Sequence, residues 1–260
     1  MRKAVFLTGL LLLVAPQCAW SADGKLDEAK KEVREEDDDI STLEFLEGLY
    51  LFGKIVLAPY VLAHAYLDES PAWFVDYPYS NGNLGNMIAA KTKPAGCRNE
   101  SFQVRLEHGW EHERVRRYTG RVLAEWANGV GTSMTGSWLS ERSTDGQRDN
   151  LSFVEPHVQL RYVQGTGVQL RIGGGPIVMF DSEQTDVGYS FSNEAEIFPG
   201  SQLIISPGIS VGRIHGTGIV QWRVAVGYII ERWEVYAGYD DRRIGSVSFR
   251  SLSSGVRVWF

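Results

Sequence analysis

The most restrictive feature of this sequence is an alternation of apolar and polar residues that recurs from residue 101 to the end of the chain. It is seen first in Phe102 to Glu107, where even positions are apolar and odd positions carry charged or amide side chains. The same pattern returns in Val158 to Tyr162, Val168 to Ile172, Val220 to Val224 and Trp233 to Ala237. Successive side chains of a β-strand point to opposite faces, so this period of two predicts strands with one apolar and one charged face.

The alternation and the turn residues between its stretches predict ten antiparallel strands, with eight as the alternative. The predicted strands cover 101–110, 117–127, 130–140, 151–163, 166–180, 186–198, 201–213, 219–230, 232–240 and 246–260. Tight connections such as Asn128-Gly129 and Pro199-Gly200 alternate with longer polar ones such as Glu141 to Asn150, His215 to Gly218 and Asp241 to Gly245. Short turns on one side and longer loops on the other, with an even strand count, are typical of transmembrane β-barrels.

The chain ends in Val256-Arg257-Val258-Trp259-Phe260, an apolar strand that stops on an aromatic residue. This ending resembles the C-terminal strand of bacterial outer-membrane β-barrels, with matching apolar residues at Val258, Val256 and Leu252 and a departure at Ser254. The resemblance is a general one, covers residues 101–260 and rests on no family-specific motif. It implies an all-β fold, an antiparallel transmembrane barrel whose partners are outer-membrane lipid and, through the strand ending at Phe260, the barrel-assembly machinery.

A soluble periplasmic β-sandwich that acts as a binding module is the alternative fold, because its strands also alternate. Aromatic residues near the ends of the apolar faces favour the barrel, since membrane barrels carry aromatic girdles at both interfaces. These residues are Trp126, Trp138, Tyr228 and Tyr239.

The N-terminal part of the chain predicts export and a separate extension. Residues 1–21 read as a signal peptide, with Arg2 and Lys3 before the apolar run Ala4 to Val14. Residues 22–100 read as an acidic and amphipathic periplasmic extension, partly helical, that includes the charge run Asp27 to Asp39. Leu43 to Leu67 is apolar but interrupted by charged residues, which predicts a helix on the membrane surface or a plug in the lumen.

The charged strand faces predict the character of the lumen. A barrel of about ten strands leaves a narrow interior, and opposite charges confined in it are expected to pair, because an unpaired buried charge is costly. A structural ion-pair network is therefore expected in place of a selective ion path. The candidate interior residues are Arg105, Glu107, Arg121, Glu125, Arg161, Arg171, Glu194, Glu196, Arg223, Glu234 and Arg257.

Two local features predict irregular strands. Gly173-Gly174-Gly175-Pro176 lies within a strand and predicts a bulge or a bend. Apolar residues move from odd positions, Val247 and Phe249, to even positions, Leu252 and Val256, which predicts a bulge near Arg250 to Ser251.

Catalytic patterns are weak in this sequence. Asp240, Asp241 and His215 would lie on neighbouring outer loops, which makes an envelope hydrolase that cleaves lipid or peptide at the outer rim the alternative function. His108 and His112 lack a third metal ligand, and Cys97 is the one cysteine left after signal removal. The sequence therefore assigns no catalytic, cofactor-binding or metal-binding residue, and it predicts no cofactor.

The predicted function is a non-enzymatic one in the bacterial outer membrane, as a structural envelope component or a narrow pore, with both ends of the barrel periplasmic. The formal net charge of -6 argues against nucleic acid as a partner.

Overall fold

The computed structural model describes residues 24–35, 72–111, 115–142 and 148–260 of the chain. The predicted signal peptide, residues 1–21, and the apolar stretch Leu43 to Leu67 lie outside the described residues, as does His112. None of the helical segments in the described ranges has the length and apolar character needed to cross a bilayer.

The described residues form one α-helix, a two-stranded sheet and a closed ten-stranded barrel. The helix α1 covers Lys25–Glu35, and the small antiparallel sheet pairs β1 (Ala72–Phe74) with β2 (Met87–Ala89). The barrel strands are β3 (Glu100–Glu111), β4 (Val115–Trp126), β5 (Val130–Arg142), β6 (Arg148–Gln164), β7 (Val168–Phe180), β8 (Thr185–Gly200), β9 (Leu203–Ile214), β10 (Thr217–Ile230), β11 (Trp233–Ile244) and β12 (Val247–Trp259).

Every barrel strand pairs antiparallel with its neighbours in sequence, and β12 returns to β3 to close the sheet. The terminal residue takes part in this closure, because the backbone N–H of Phe260 donates to the carbonyl oxygen of Phe102 at 2.8 Å. The predicted count of ten strands is confirmed, and the closed sheet overturns the alternatives of eight strands and of a β-sandwich. Closure leaves the barrel no unpaired edge between its first and last strands.

The outer face of the barrel is apolar, as the alternation predicts. Large side chains that would be buried in a soluble domain are 37–65% exposed here, among them Leu106, Met134, Val158 and Ile230. The predicted aromatic residues occupy this outer face, with Trp126 at the end of β4 but Tyr239 in the middle of β11, and Tyr118 stacks on Trp138 with 5.5 Å between ring centroids. Such a continuous apolar exterior fits a lipid environment and not water.

The connections differ less in length than the sequence predicts. The stretches near His215 to Gly218 and Asp241 to Gly245 are not long loops, because β10 starts at Thr217 and β11 continues to Ile244. Two-residue turns join these strands to their partners, with positive φ at His215 and Gly245. The prediction of longer loops was wrong here because the residues at these strand ends are paired within the sheet.

The predicted bulge near Arg250 to Ser251 is also absent, since β12 pairs with β11 without a shift in register. Val247 and Phe249 are apolar because they point into the barrel, whereas Leu252 points outward. At Gly175, β7 comes very close to β6, since a Cβ on Gly175 would lie 2.0 Å from the carbonyl oxygen of Pro156. The register between β7 and β8 does not shift there. The register shift in this part of the sheet lies instead between Arg161 and Val163 of β6.

Candidate functional site

The lumen is the candidate functional site, because the inward faces of the barrel strands bring charged side chains together there. All eleven residues predicted for the interior belong to inward faces. The structure adds Arg117, Glu155, Asp240 and Arg242, each of which is buried. Asp240 was considered only as a candidate outer-loop residue, and Arg242 was assigned to the connection Asp241 to Gly245, although the inward face of Glu234, Tyr236 and Gly238 continues through both.

A chain of ion pairs crosses the lumen near the end where β3 begins and β12 ends. Arg161 contacts Glu125 at 3.0 Å, and Glu125 contacts Arg171 at 2.8 Å. Arg171 continues to Glu196 at 2.8 Å, and Glu196 pairs with Arg257 on β12. Arg257 then contacts Glu234 on β11 at 2.6 Å. Charges of alternating sign thus join β6 and β4 on one side to β12 and β11 on the other.

Further pairs bridge the middle of the lumen. Arg242 on β11 contacts Glu155 on β6 at 2.8 Å, and these two strands stand opposite each other in the closed order. Arg121 on β4 contacts Glu194 on β8 at 2.6 Å. Each such bond spans the interior from wall to wall, so it occupies the space through which a solute would pass.

Glu107 is the centre of a second group of charges. It accepts hydrogen bonds from Arg117 at 3.0 Å, from Arg223 at 3.1 Å and from the hydroxyl of Tyr236 at 3.2 Å. Arg117 also pairs with Asp240, whose other oxygen accepts a hydrogen bond from Gln221. The prediction that interior charges pair is therefore well supported by the geometry of both groups.

The helix α1 fills the mouth at the opposite end from Phe260. Its residues Leu26, Ala29 and Val33 share one face at helical spacing and are completely or almost completely buried. They pack on a layer of inward-facing apolar side chains at this mouth of the barrel. That layer contains Val115, Leu139, Leu151, Phe153, Ile177, Met179, Ile214, Ile219, Ile244, Val247 and Phe249. We refer to residues 25–35 as the helical plug.

Polar contacts fix both ends of the helical plug. At its start, the backbone N–H of Leu26 donates to the Glu141 carboxylate at 2.9 Å, where a negative charge also favours the helix dipole. At its end, Arg34 contacts Asp181 and Glu183 at 2.8 Å each. The carbonyl oxygen of Glu32 accepts a hydrogen bond from Thr217 at 2.8 Å.

The contact between Arg34 and Asp181 shifts the pKa of both groups. Burial alone would raise the pKa of Asp181, but the backbone N–H groups of Gln184 and Glu183 and the charge of Arg34 together hold that pKa below its usual value. Burial likewise opposes the charge of Arg34, yet Asp181 and Glu183 raise its pKa. Both groups are therefore ionised at neutral pH, and protonation of Asp181 would weaken the anchor.

A second segment of the extension covers the other mouth. Phe74 lies under the guanidinium of Arg161, 4.9 Å from the ring centroid, and Gln169 donates a hydrogen bond to Asn86. Tyr79 packs edge-on against Phe198 with ring centroids 6.2 Å apart. We refer to residues 72–98 as the hairpin cap. The two mouths of the lumen are thus covered by two different parts of the N-terminal extension.

The candidate hydrolase residues do not form a joint site. Asp240 points inward to Arg117, whereas Asp241 points outward to Arg250 at 3.4 Å. His215 contacts Asp186 at 3.0 Å. His108 packs on the outer face against Tyr118, with ring centroids 4.8 Å apart, and Cys97 is a buried free thiol. Across the described ranges, no group of three or more His, Cys, Asp or Glu side chains could hold a metal ion.

The closed sheet, the apolar exterior and the charged interior define a small outer-membrane β-barrel. No protein-family model matches the chain, and no curated protein does. Among solved structures it is similar to the NanC porin (14% identity, TM-score 0.42, covering 60% of this chain and 98% of that chain). It is also similar to the KdgM porin in complex with disordered oligogalacturonate (13%, 0.39, 62% and 99%) and to the Ail protein of Yersinia pestis (10%, 0.29, 62% and 96%).

Proposed function

We propose that this chain is a structural component of the bacterial outer membrane whose lumen is closed to solutes. The observation that carries the proposal is the set of ion pairs that join opposite walls, above all Arg242 with Glu155 and Arg121 with Glu194. Buried pairs of this kind resist opening, because separating them leaves two charges without partners in a confined interior.

The covered mouths support the same conclusion. A solute would have to displace the helical plug at one end and the hairpin cap at the other, and then break the cross-lumen pairs between them. Two cavities lie among the described residues of the lumen, with volumes of about 30 and 60 Å³, and neither is large enough to form a passage through the barrel. A narrow pore would need all three barriers to open together.

Planar-bilayer recording tests this proposal against the narrow pore. The full chain is reconstituted, and insertion is verified by heat-modifiable migration on an unboiled denaturing gel. We expect no stable conductance steps in 1 M KCl. Steady, ohmic conductance from the inserted full chain would refute the closed lumen and establish the pore.

We further propose that the end carrying Phe260 faces the periplasm and that β12 is the strand the barrel-assembly machinery contacts. The resemblance of the last strand to outer-membrane barrels supports this, as does the position of Phe260 at the strand end beside Phe102. The helical plug and the hairpin cap lie at opposite mouths, so in this orientation the cap faces the periplasm, whereas the plug faces the cell exterior and departs from the predicted periplasmic location of residues 22–100.

Paired single cysteines test the orientation in intact cells. In a Cys97→Ser background, Ser182→Cys lies in the exposed connection after β7, and Arg232→Cys lies in the exposed turn before β11 at the other end. A membrane-impermeant maleimide should label Ser182→Cys in whole cells and Arg232→Cys only after the outer membrane is permeabilised. The reverse pattern would invert the proposed orientation.

Deletion of Phe260 tests the assembly proposal. We expect the truncated chain to accumulate outside the outer-membrane fraction, while Phe260→Tyr, which keeps a terminal aromatic residue, assembles normally. Equal assembly of the deletion and the full chain would remove the proposed role of the terminal residue.

A further inference from the structure

Three arginines converge on the space left at the middle of the lumen. Arg105 on β3, Arg121 on β4 and Arg223 on β10 line both internal cavities, of about 30 and 60 Å³. Arg105 and Arg121 lie across the lumen from small residues, among them Ser192 on β8 and Gly208 on β9, and Gly208 is the cross-strand neighbour of Arg223. Glu107, Glu155 and Glu194 also line the larger cavity.

These arginines are not fully used by the protein. Arg223 donates to Glu107 at 3.1 Å, and one terminal nitrogen of Arg121, Nη1, donates to Glu194 at 2.6 Å. The Nε and Nη2 groups of Arg121 and the Nε group of Arg105 are buried and have no hydrogen-bond partner within the described residues. Arg121 is itself only 8% exposed.

The charge around the cavities is unbalanced as well. The other arginines that line them are paired, Arg242 with Glu155 and Arg257 with Glu196. Arg105 has no carboxylate within salt-bridge distance in the described part of the chain, and the positive charges of Arg223 and Arg121 act on it. A buried guanidinium without an anion is costly, so a negative charge in this cavity would be strongly favoured.

We propose that Arg105, Arg121 and Arg223 hold a small oxyanion with the chemistry of inorganic phosphate. The planar, multiply donating guanidinium is the group best suited to bind oxyanions, and β3, β4 and β10 each bring one to the same cavity. The larger cavity, about 60 Å³, exceeds the roughly 10–15 Å³ that one water needs, and it accommodates one tetrahedral ion. The anion would tie β3, β4 and β10 together across the barrel.

Because both mouths are covered, the anion is expected to enter while the barrel closes. The full chain is therefore folded into detergent micelles in 20 mM inorganic phosphate, or in chloride at equal ionic strength, and desalted before phosphate is measured. We expect about one phosphate per folded chain after folding in phosphate and a higher apparent melting temperature than in chloride. Absence of retained phosphate in the folded wild-type chain would overturn the proposal and would identify the cavity as a water site.

Two pairs of variants locate the ion. Arg105→Gln removes the unpaired cation and is expected to lower retained phosphate at least tenfold, while Arg116→Gln, on the exposed outer side of β4, should retain it. Gly208→Asp places a carboxylate in the cavity, where a Cβ has its nearest neighbours at 3.5 Å, and should exclude phosphate without loss of folding. Gly208→Asn is the uncharged control that keeps the site. Equal phosphate retention in Gly208→Asp and Gly208→Asn would refute the assignment even if Arg105→Gln failed to fold.

Discussion

Replacing Arg171 with methionine tests whether the ion pairs in the lumen stabilise the barrel. Arg171 is 1% exposed and donates two hydrogen bonds to Glu125 at 2.8 and 2.9 Å, one to Glu196 at 2.8 Å and one to Gln169 at 2.9 Å. Methionine keeps much of the length and removes the charge. The substitution therefore leaves the packing nearly filled while it removes all four bonds.

The expected loss in the free energy of unfolding depends on which arginine partners Glu125 and Glu196 keep. Removing one partner of a buried pair typically costs about 3–5 kcal/mol, because the other charge is left without compensation. Here Glu125 keeps Arg161 at 3.0 Å and Glu196 keeps Arg257, so we expect the lower part of that range, about 3 kcal/mol. Glu125→Gln should cost about 1 kcal/mol less in the Arg171→Met chain than in the wild type, because its bonds to Arg171 are then already absent.

The measurement is urea unfolding of the barrel in lipid vesicles, followed by tryptophan fluorescence under conditions where unfolding and refolding curves coincide. Arg116→Gln on the outer face serves as the control and should change the free energy of unfolding by no more than about 0.5 kcal/mol. A loss below about 1 kcal/mol for Arg171→Met, with no coupling to Glu125→Gln, would refute the argument. It would mean that water in the lumen satisfies these charges and that the network does not hold the walls together.

Three further predictions concern the helical plug and the strand geometry. Asp181 contributes stability that is present above its ordinary pKa and is lost as the pH falls through its lowered pKa, so acidification below about pH 4 should release the plug. At neutral pH, hydrogen exchange of residues 25–35 should be faster in Asp181→Asn than in the wild type. Unchanged exchange would contradict the anchor. Val33→Asp buries a charge in the apolar layer and should expose residues 25–35 to protease, while the barrel keeps its heat-modifiable migration. Continued protection of these residues would show that the plug is not held by its apolar face. Gly188→Ala puts a Cβ 1.8 Å from the carbonyl oxygen of Arg213 and should lower the urea midpoint by an amount equivalent to about 1–3 kcal/mol. Gly136→Ala is the control, because a Cβ there has nothing within 4 Å. Equal midpoints for the two variants would disprove the close approach.

The barrel was predictable from the sequence because its determinant is local. Alternation at a period of two assigns each side chain to one face from its position alone, so the eleven predicted interior residues were placed correctly without any knowledge of the sheet. The same rule extends to Asp240 and Arg242. Asp240 was given a different role and Arg242 was missed, because charged residues at a strand end look like a loop when the inner face cannot be distinguished from solvent.

The apparent break in β12 shows where the local rule reaches its limit. Val247 and Phe249 are apolar on the inward face, and Leu252 is apolar on the outward face, so the sequence suggested a bulge between them. The strand is regular, and the contents of the lumen change instead from charged residues to the apolar layer under the helical plug. The sequence of one strand carries no information about which distant segment fills the barrel mouth beside it.

By itself, the sequence determined the strand count, the closure through Phe260 and the sign of each charge that faces inward, since these depend on periodicity and chain order. The tertiary structure decided which charges pair, that Arg105 has no carboxylate partner among the described residues, and that residues 25–35 and 72–98 cover opposite mouths. These features depend on distances between strands far apart in the chain. Pairing across a lumen is fixed by where ten inner faces meet, and that is a property of the closed barrel and not of any strand.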